Sequence, residues 1–367
     1  MIKLKKKILV CSYSHKSYFS SNEINKEIVK SLKYPNNKIK TQSMSDGGEG
    51  LSEIFNWKRK IRLKILDAEL NKKNIIIHVK KKTALIEVSK IIGGFEKKIQ
   101  NGMYRSSFGI GLLILKLEKL GIKKFIIGFG GSTVSDFGIG LASALGVKFY
   151  DRKKNLISIE NNNLNAFSLK KIYNINLDLF SLKKKKLKFY LLSDSKVKLI
   201  GINGQVSMFA NQKGIMGKNK LILKKGFENF KKILEKKFYK KIDLEYMGAG
   251  GGTLAMIYCL FKSKLYSGDK YVQSKIKLPN KIIKNDIIIT GEGILDKSSK
   301  TKGIWNIITN SKKLQKKLIL IVGKSKLSIK KNIKIIELFK NKNVSISKKI
   351  ILKKIILLCK NIELDRI

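Results

Sequence analysis

Short runs of aliphatic residues recur along the chain, and most of them end in glycine, serine or aspartate. Each run is followed by a stretch in which apolar residues return at helical spacing. This alternation is typical of β-α units built around a mostly parallel sheet. The predicted strands cover residues 7–11, 75–79, 84–88, 124–128, 187–193, 286–290, 318–322 and 334–338. The predicted helices cover residues 21–32, 112–120, 139–145, 227–238, 253–261 and 304–314.

The loops after these strands are the expected place for chemistry, because ligands of such folds bind beyond the carboxyl ends of the strands. Residues 46–50 (DGGEG) form one glycine-rich loop with two carboxylates. Residues 128–136 (GFGGSTVSD) follow a predicted strand directly. Backbone N–H groups at such a turn can bind phosphate, and the hydroxyl group of Ser132 adds a donor. Either loop also fits a purely structural tight turn.

Two further loops of the same kind lie in the second half of the chain. Residues 248–253 (GAGGGT) open a predicted helix. Ordering so many glycines costs conformational entropy, and such a loop usually occurs where something must approach the backbone closely. Residues 290–296 (TGEGILD) carry Glu292 and Asp296, four positions apart. These carboxylates suit a metal ligand and a base, or a helix cap.

Two common nucleotide-binding signatures are missing. The nearest match to a Walker A motif is 323–325 (GKS), but its leading glycine is replaced by Leu318. No G-x-G-x-x-G sequence opens a helix with an acidic residue at the required distance, which argues against a nicotinamide enzyme. His15 and His78 lack the spacing of metal ligands.

The charge of the chain is strongly positive, at +53 over 367 residues. All but five of the 79 basic residues are lysines, and they are spread along the chain without interleaved aromatic residues. Nucleic-acid readers rely more on arginine and on stacking. The pattern therefore favours a solvated lysine surface and no specific nucleic acid, while a basic nucleic-acid-binding protein remains an alternative.

The remaining composition points to a reducing compartment. The three cysteines (Cys11, Cys259 and Cys359) are far apart and form no C-x-x-C pair. No apolar run reaches the length needed to span a bilayer. We expect a cytoplasmic protein without a membrane segment, and the length suggests about two domains.

Taken in order, the loops resemble the motifs of the bacterial glycerate kinase family, which lacks a P-loop. The resemblance extends over nearly the entire chain. The matching segments are 12–21 (SYSHKSYFSS), 46–50 (DGGEG), 84–87 (ALIE), 107–114 (SFGIGLLI), 128–140 (GFGGSTVSDFGIG), 193–195 (SDS), 212–214 (QKG), 248–252 (GAGGG) and 290–296 (TGEGILD).

The resemblance implies a fold and a reaction. The fold would consist of two α/β domains with mostly parallel sheets, one inserted in the other, with residues 1–72 and 283–367 in the first and 73–282 in the insertion. The reaction would be ATP-dependent phosphorylation of D-glycerate, with Mg²⁺ on the phosphates and 2-phosphoglycerate as the favoured product. The expected ligands are therefore glycerate, ATP and Mg²⁺, and a homodimer is left open.

The resemblance also implies site residues. Asp194, Asp296 and Lys16 are the expected catalytic residues, with Asp194 and Asp296 as candidate magnesium ligands or bases. The expected substrate- and phosphate-binding residues are Asp46, Gly47, Gly48, Ser107, Gly130, Gly131, Ser132, Asp136, Gly250, Gly251 and Glu292.

Four positions depart from the family pattern. Tyr13 replaces an aspartate, Ile294 an arginine, Val197-Lys198 an asparagine-proline pair and Ser298 a glutamine. Loss of an arginine clamp removes several kcal/mol of transition-state stabilisation. These departures leave a second reading open, in which a decayed family member binds ligand without turnover.

Overall fold

The computed structural model describes residues 5–15, 18–93, 102–161, 163–193, 195–327, 333–339, 347–362 and 364. In chain order the strands are β1 (Ile8–Val10), β2 (Ile39–Thr41), β3 (Arg59–Leu66), β4 (Lys72–Lys80), β5 (Thr83–Glu87), β6 (Lys124–Phe129), β7 (Lys148–Tyr150), β8 (Leu156–Ile157), β9 (Asn174–Asn176), β10 (Lys188–Ser193), β11 (Ser263–Ser267), β12 (Ile287–Thr290), β13 (Ile294–Leu295), β14 (Lys317–Val322), β15 (Lys324–Ser325) and β16 (Ile333–Glu337). The α-helices are α1 (Ser21–Ser31), α2 (Leu51–Phe55), α3 (Ser89–Ile92), α4 (Phe108–Lys119), α5 (Ile139–Ala144), α6 (Gln205–Phe209), α7 (Gly217–Phe238), α8 (Thr253–Leu260), α9 (Gly268–Lys275), α10 (Leu278–Ile283), α11 (Gly303–Lys313) and α12 (Lys348–Lys360).

The chain divides into two compact units. The first comprises Met1–Asp46, Glu53–Phe55 and Asp269–Ile367, and the second comprises Gly47–Ser52 and Asn56–Gly268. These limits differ from the expected 1–72, 73–282 and 283–367. Strand β3 belongs to the second unit because all eight of its residues pair with β4. Helix α10 belongs to the first unit because Leu278 and Ile282 lie in its core.

The first unit contains a five-stranded sheet in the order β16-β14-β12-β1-β2, with every neighbouring pair parallel. Successive residues of a strand point to opposite faces. Ile8 and Val10 pack in a core with residues of α1 and α12, whereas Leu9 and Cys11 pack with residues of α10 and α11. Helices on both faces explain why these strands read as unbroken apolar runs.

The second unit contains a six-stranded sheet in the order β11-β10-β6-β5-β4-β3. The strands from β11 to β5 are parallel, and β4 and β3 continue the sheet antiparallel. A small antiparallel sheet, β8-β7-β9, lies in the same unit. Its strands β8 and β9 lie in the lysine- and asparagine-rich segment 153–186.

The prediction of a mixed α/β fold with mostly parallel sheets is confirmed. Each of the eight predicted strands overlaps an observed strand, and each of the six predicted helices overlaps an observed helix. The pairing places the glycine-rich loops at shared edges. In the second unit Phe129 is opposite Ser193, and Glu87 is opposite Gly128, so the loops after β5, β6 and β10 begin side by side. In the first unit Val10 is opposite Ile289, so the loops after β1 and β12 do the same.

Among the described residues, no helix combines the length and the apolar character needed to cross a bilayer. The three cysteines are buried and none is in a disulfide.

Candidate active site

The loop after β6, residues 130–136, is the predicted phosphate-binding loop of the second unit. Gly131 has a φ of +64°, a left-handed conformation that suits glycine. A Cβ atom at this position would also lie 2.5 Å from Oε1 of Glu49 and 3.0 Å from Cβ of Ser89. The amide groups of Gly130, Gly131 and Ser132 donate to no acceptor in the part of the chain that the structure describes. Three adjacent N–H groups without an acceptor are candidate donors to an anion.

The loop 248–252 packs directly on this loop. Gly250 and Gly251 have φ values of +62° and +67°. A Cβ atom at Gly251 would overlap the carbonyl oxygen of Val134, and one at Gly250 would lie 2.7 Å from the ring of Phe129. The amide of Phe137 donates to the carbonyl of Gly251 at 3.0 Å. Glycine is required here for close packing of two loops, and both loops lie at the carboxyl edge of the sheet as predicted.

A third predicted loop, residues 47–50, also contacts the end of β6. A Cβ atom at Gly128 would overlap the carbonyl oxygen of Gly47 and lie 3.1 Å from that of Gly48. Glu87, at the end of β5, anchors this segment, because its carboxylate accepts from the amides of Gly50 at 3.0 Å and Ser52 at 2.9 Å. The structure therefore brings three of the four glycine-rich loops together in one unit. Asp46, the first residue of the predicted motif, falls in the other unit.

Ser107 and Asp136 were predicted to bind substrate or phosphate; that role stays a prediction, and the structure shows the two side chains hydrogen-bonded to each other. Asp136 accepts from the amide and hydroxyl of Ser107, each at 2.8 Å, and from the amides of Gly138 at 3.0 Å and Gly140 at 3.2 Å. The hydroxyl of Ser107 in turn accepts from the amide of Leu141 at 2.9 Å. Burial raises the pKa of Asp136 although these hydrogen bonds oppose the shift. The pair ties the start of α4 to the start of α5.

Three polar side chains hold the 130–136 loop from outside, and the sequence reasoning assigned none of them to the site. Arg105 donates through Nη1 to Oγ1 of Thr133 at 2.9 Å and forms an ion pair with Glu69. Lys213 donates through Nζ to the carbonyl of Val134 at 2.6 Å. Gln205 donates through Nε2 to Oγ of Ser135 at 2.9 Å. The signals were present: Arg105 is one of five arginines, and Lys213 lies in the QKG motif.

The first unit contains a group of carboxylates. Glu292 follows β12 by two residues, and its side chain is only 12% exposed. Burial raises its pKa, and the negative charges of Asp296 and Asp46 act in the same direction. Lys302 lies 3.8 Å from Oε2, whereas Oε1 is buried and accepts no hydrogen bond in the described part of the chain. Asp46, Glu292 and Asp296 were all predicted site residues, and the structure brings them within electrostatic range.

An acceptor without a donor fits a cation or a substrate hydroxyl. The described residues nevertheless contain no group of three or more histidine, cysteine, aspartate or glutamate side chains arranged to hold a metal ion. The magnesium ligand set Asp194 and Asp296 therefore stays a prediction. Asp194 and Lys16 lie outside the described residues, as does the side chain of Ser298.

Tyr13, at an expected aspartate position, is buried in the first unit. Its amide donates to the carbonyl of Gly291 at 2.8 Å, and its hydroxyl accepts from Nε2 of Gln273 at 3.3 Å. Burial raises the pKa of Tyr13 well above its usual value, so the phenol is neutral. Ile294, at an expected arginine position, is half exposed. Neither side chain supplies the charge that the family pattern has there.

Comparison with known proteins identifies the relatives of this chain. The model of the "Glycerate kinase family" matches residues 8–354. A protein of Escherichia coli (strain K12) named "Glycerate 2-kinase" is 28% identical over 333 residues, which cover 86% of this chain and 85% of that protein. A "Glycerate kinase" of Neisseria meningitidis serogroup B is 27% identical and covers 70% of this chain and 68% of its own length.

The fold has a solved counterpart. The crystal structure of a putative glycerate kinase 2 from Salmonella typhimurium LT2 superposes with a TM-score of 0.75 at 22% identity, covering 97% of both chains. At this level of identity the likeness establishes the shared fold.

Proposed function

The chain belongs to the glycerate kinase family, and we propose that the protein transfers the γ-phosphoryl group of ATP to D-glycerate. The observation that carries the proposal is the extent of the family match. Residues 8–354 include the glycine-rich loops of the second unit and the acidic loop of the first. Phosphoryl transfer depends mainly on positioning and on neutralising charge, and these loops carry groups suited to both tasks.

In this proposal the second unit binds phosphate oxygens. The amides of Gly130, Gly131 and Ser132 are the candidate donors, because they have no acceptor among the described residues. The loop is preformed: the 248–252 loop packs on it through Gly251. A preformed donor set binds an anion without the cost of ordering the loop at that moment.

Acidic side chains handle the proton and the cation in this proposal. The hydroxyl oxygen of glycerate bonds to the γ-phosphorus while the bond to the bridging oxygen of ADP breaks, and ADP leaves with the electron pair. Asp194 or Asp296 accepts the hydroxyl proton. Glu292 is a candidate to hold Mg²⁺, since its Oε1 atom is an unpaired buried acceptor. Bound magnesium supplies positive charge against the phosphates.

We propose the hydroxyl group on carbon 2 as the acceptor, because the Escherichia coli relative is named glycerate 2-kinase. Phosphorus NMR of the product distinguishes 2-phosphoglycerate from 3-phosphoglycerate directly.

Ligand binding without turnover is a second candidate function. The observation that favours it is the chemistry of Tyr13, which is neutral, buried and hydrogen-bonded to Gln273 where the family pattern has an aspartate. Ile294 likewise offers no charge. A protein of this kind would keep the amide donors of the 130–132 segment and lose the transfer step.

The two functions separate in one pair of measurements. A coupled assay of ADP release with ATP, Mg²⁺ and D-glycerate measures transfer, and calorimetric titration with ATP and Mg²⁺ measures binding. We expect release that depends on D-glycerate and is abolished in the double variant D194A/D296A. Binding without release supports the second function, and full activity in the double variant overturns the roles of both aspartates.

A further inference from the structure

Lys213 places an ammonium group inside the second unit. The residue is 4% exposed, and its Nζ atom donates to the carbonyl of Val134 at 2.6 Å. That carbonyl oxygen is also the atom that a Cβ at Gly251 would overlap. The ammonium group therefore lies where the 130–136 loop meets the 248–252 loop, close to the candidate amide donors.

The turn that carries Lys213 is rigidly placed. The carbonyl oxygen of Lys213 lies against Gly102, and a Cβ atom at Gly102 would overlap it. Gly214 closes the turn with a φ of +68°, and the amide of Ile215 returns to the carbonyl of Ala210 at 2.9 Å. The backbone of Lys213 is therefore held in place by its neighbours, and its side chain contacts Val134 from this fixed position.

Three consecutive residues of the loop are tethered from outside, and each tether differs. Arg105 holds Thr133, Lys213 holds Val134 and Gln205 holds Ser135. The residues just before these, 130–132, carry the unpaired amides. The three hydrogen bonds therefore hold the segment that directly follows those amides.

A buried ammonium group is costly, and its surroundings compensate for it only in part. Burial lowers the pKa of Lys213 to about 7, while the carboxylate of Asp136 acts in the opposite direction. The hydrogen bonds of Asp136 go to Ser107 and to backbone amides. The other charges near this loop are the carboxylate of Glu49, which lies beside Gly131, and the Arg105–Glu69 ion pair, which meets the loop at Thr133. An anion bound at the loop would further stabilise the charged form of Lys213.

We propose that Lys213 is a positioning residue for phosphoryl recognition: it fixes the 130–136 loop through Val134, and its positive charge strengthens the binding of phosphate oxygens by the amides of residues 130–132. The inference rests on the proposed function in taking ATP as the phosphoryl ligand. The contact with the ligand is made by the amides, and Lys213 acts through the loop and through its field.

Calorimetric titration with ATP and Mg²⁺ tests the proposal in three variants. K213M removes the charge and the donor, K213Q keeps a donor without the charge, and K218M removes an exposed lysine five positions away as the matched control. At pH 6.5 we expect the Kd to rise tenfold or more in K213M, less in K213Q, and less than twofold in K218M. An unchanged Kd in folded K213M overturns the proposal.

The pH profile separates the charge from a merely structural contact. Lys213 loses its proton as the pH rises through about 7. The ratio of the Kd of K213M to that of the wild type should therefore fall from tenfold or more at pH 6 towards unity at pH 9. A ratio that is constant over this range overturns the role of the charge.

A measurement on the wild type alone covers the case in which the variants do not fold. Sulfate is a tetrahedral oxyanion whose charge does not change between pH 6 and 9, and its binding to the wild type should weaken as the pH rises through 7. Sulfate binding that does not vary with pH overturns the proposal. Sulfate binding with the expected profile, together with no binding of ATP, would contradict the proposed function and leave the role of Lys213 intact. Turnover of ATP that K213M does not change would contradict only the role of Lys213.

Discussion

The hydroxyl group of Tyr13 occupies the space in which a side chain at Gly303 would begin. A Cβ atom at Gly303 would overlap the phenolic oxygen and would lie 2.9 Å from Nε2 of Gln273. Gln273 donates to both partners, to the Tyr13 hydroxyl at 3.3 Å and to the carbonyl of Gly303 at 3.0 Å. Tyr13, at the expected aspartate position, therefore fits against a residue without a side chain, Gly303, which is the first residue of α11.

Replacing Gly303 by alanine tests this packing. We expect G303A to destabilise the protein by about 1 to 3 kcal/mol, because a methyl group is forced into a filled space. Urea unfolding measures the change. The Y13F variant removes the overlapping oxygen, so the cost of G303A should shrink clearly in the Y13F background. Equal costs in both backgrounds would show that the two residues are not coupled.

Gly251 gives a second test, with a control in the same unit. In G251A the methyl group meets the carbonyl oxygen of Val134, and the backbone keeps a φ of +67°. Gly217 has a φ of +52° and nothing within 4 Å of a Cβ atom. We expect G217A to cost about 1 kcal/mol from the left-handed backbone alone, and G251A to cost several kcal/mol and to weaken ATP binding. Similar costs in thermal unfolding would contradict the close packing of the two loops.

The sequence predicted the parallel cores well because buried strands covered on both faces are continuous apolar runs. It missed β3, whose residues alternate between exposed and partly buried positions, and this omission explains why the expected boundary at residue 72 differs from the division into compact units at Asn56. It also missed the short strands of the small sheet in the second unit, where two or three residues carry no pattern.

The glycine-rich loops were recognisable as chemistry-bearing because glycine runs after strands are conspicuous. The sequence did not indicate which polar residues face a ligand and which support the fold. Asp136 and Arg105 illustrate the limit: the first has its oxygens occupied by Ser107 and backbone amides, and the second holds Thr133 across 28 positions of sequence. Contacts at that separation depend on the tertiary fold and leave no local signal.

Glu292 combines a stability cost with a proposed role, and E292Q separates the two. Burial raises the pKa of Glu292, so at neutral pH its charged form disfavours the folded state, and neutralising it should raise Tm. If Glu292 holds magnesium in the proposed reaction, E292Q should also raise the Mg²⁺ concentration needed for half-maximal activity about tenfold. E27Q on α1 is the control and should leave the magnesium requirement unchanged. A loss of stability with an unchanged magnesium requirement would assign Glu292 a purely structural role.

His15 makes the stability of the first unit depend on pH. The ring is 4% exposed, Nε2 has no hydrogen-bond partner in the described part of the chain, and burial lowers the pKa to about 4. An unfolded histidine titrates near 6.5, so between pH 6.5 and 4 the unfolded state binds more protons than the folded state. The contribution of the neutral ring is therefore complete above pH 6.5 and is lost as the pH falls towards 4.

The size of this effect can be isolated by difference, because carboxylates titrate in the same range. We expect the free energy of unfolding of the wild type to fall by roughly 2 to 3 kcal/mol more than that of H15Q between pH 6.5 and 4.5. H78Q is the matched control, since His78 lies on β4 and its Nδ1 atom is 3.1 Å from the carbonyl oxygen of Trp57. Urea unfolding at half-unit pH steps gives the three curves. Parallel curves for the wild type and H15Q would mean that the His15 ring reaches water in the folded state. The predicted dependence of stability on the protonation of His15 would then be wrong.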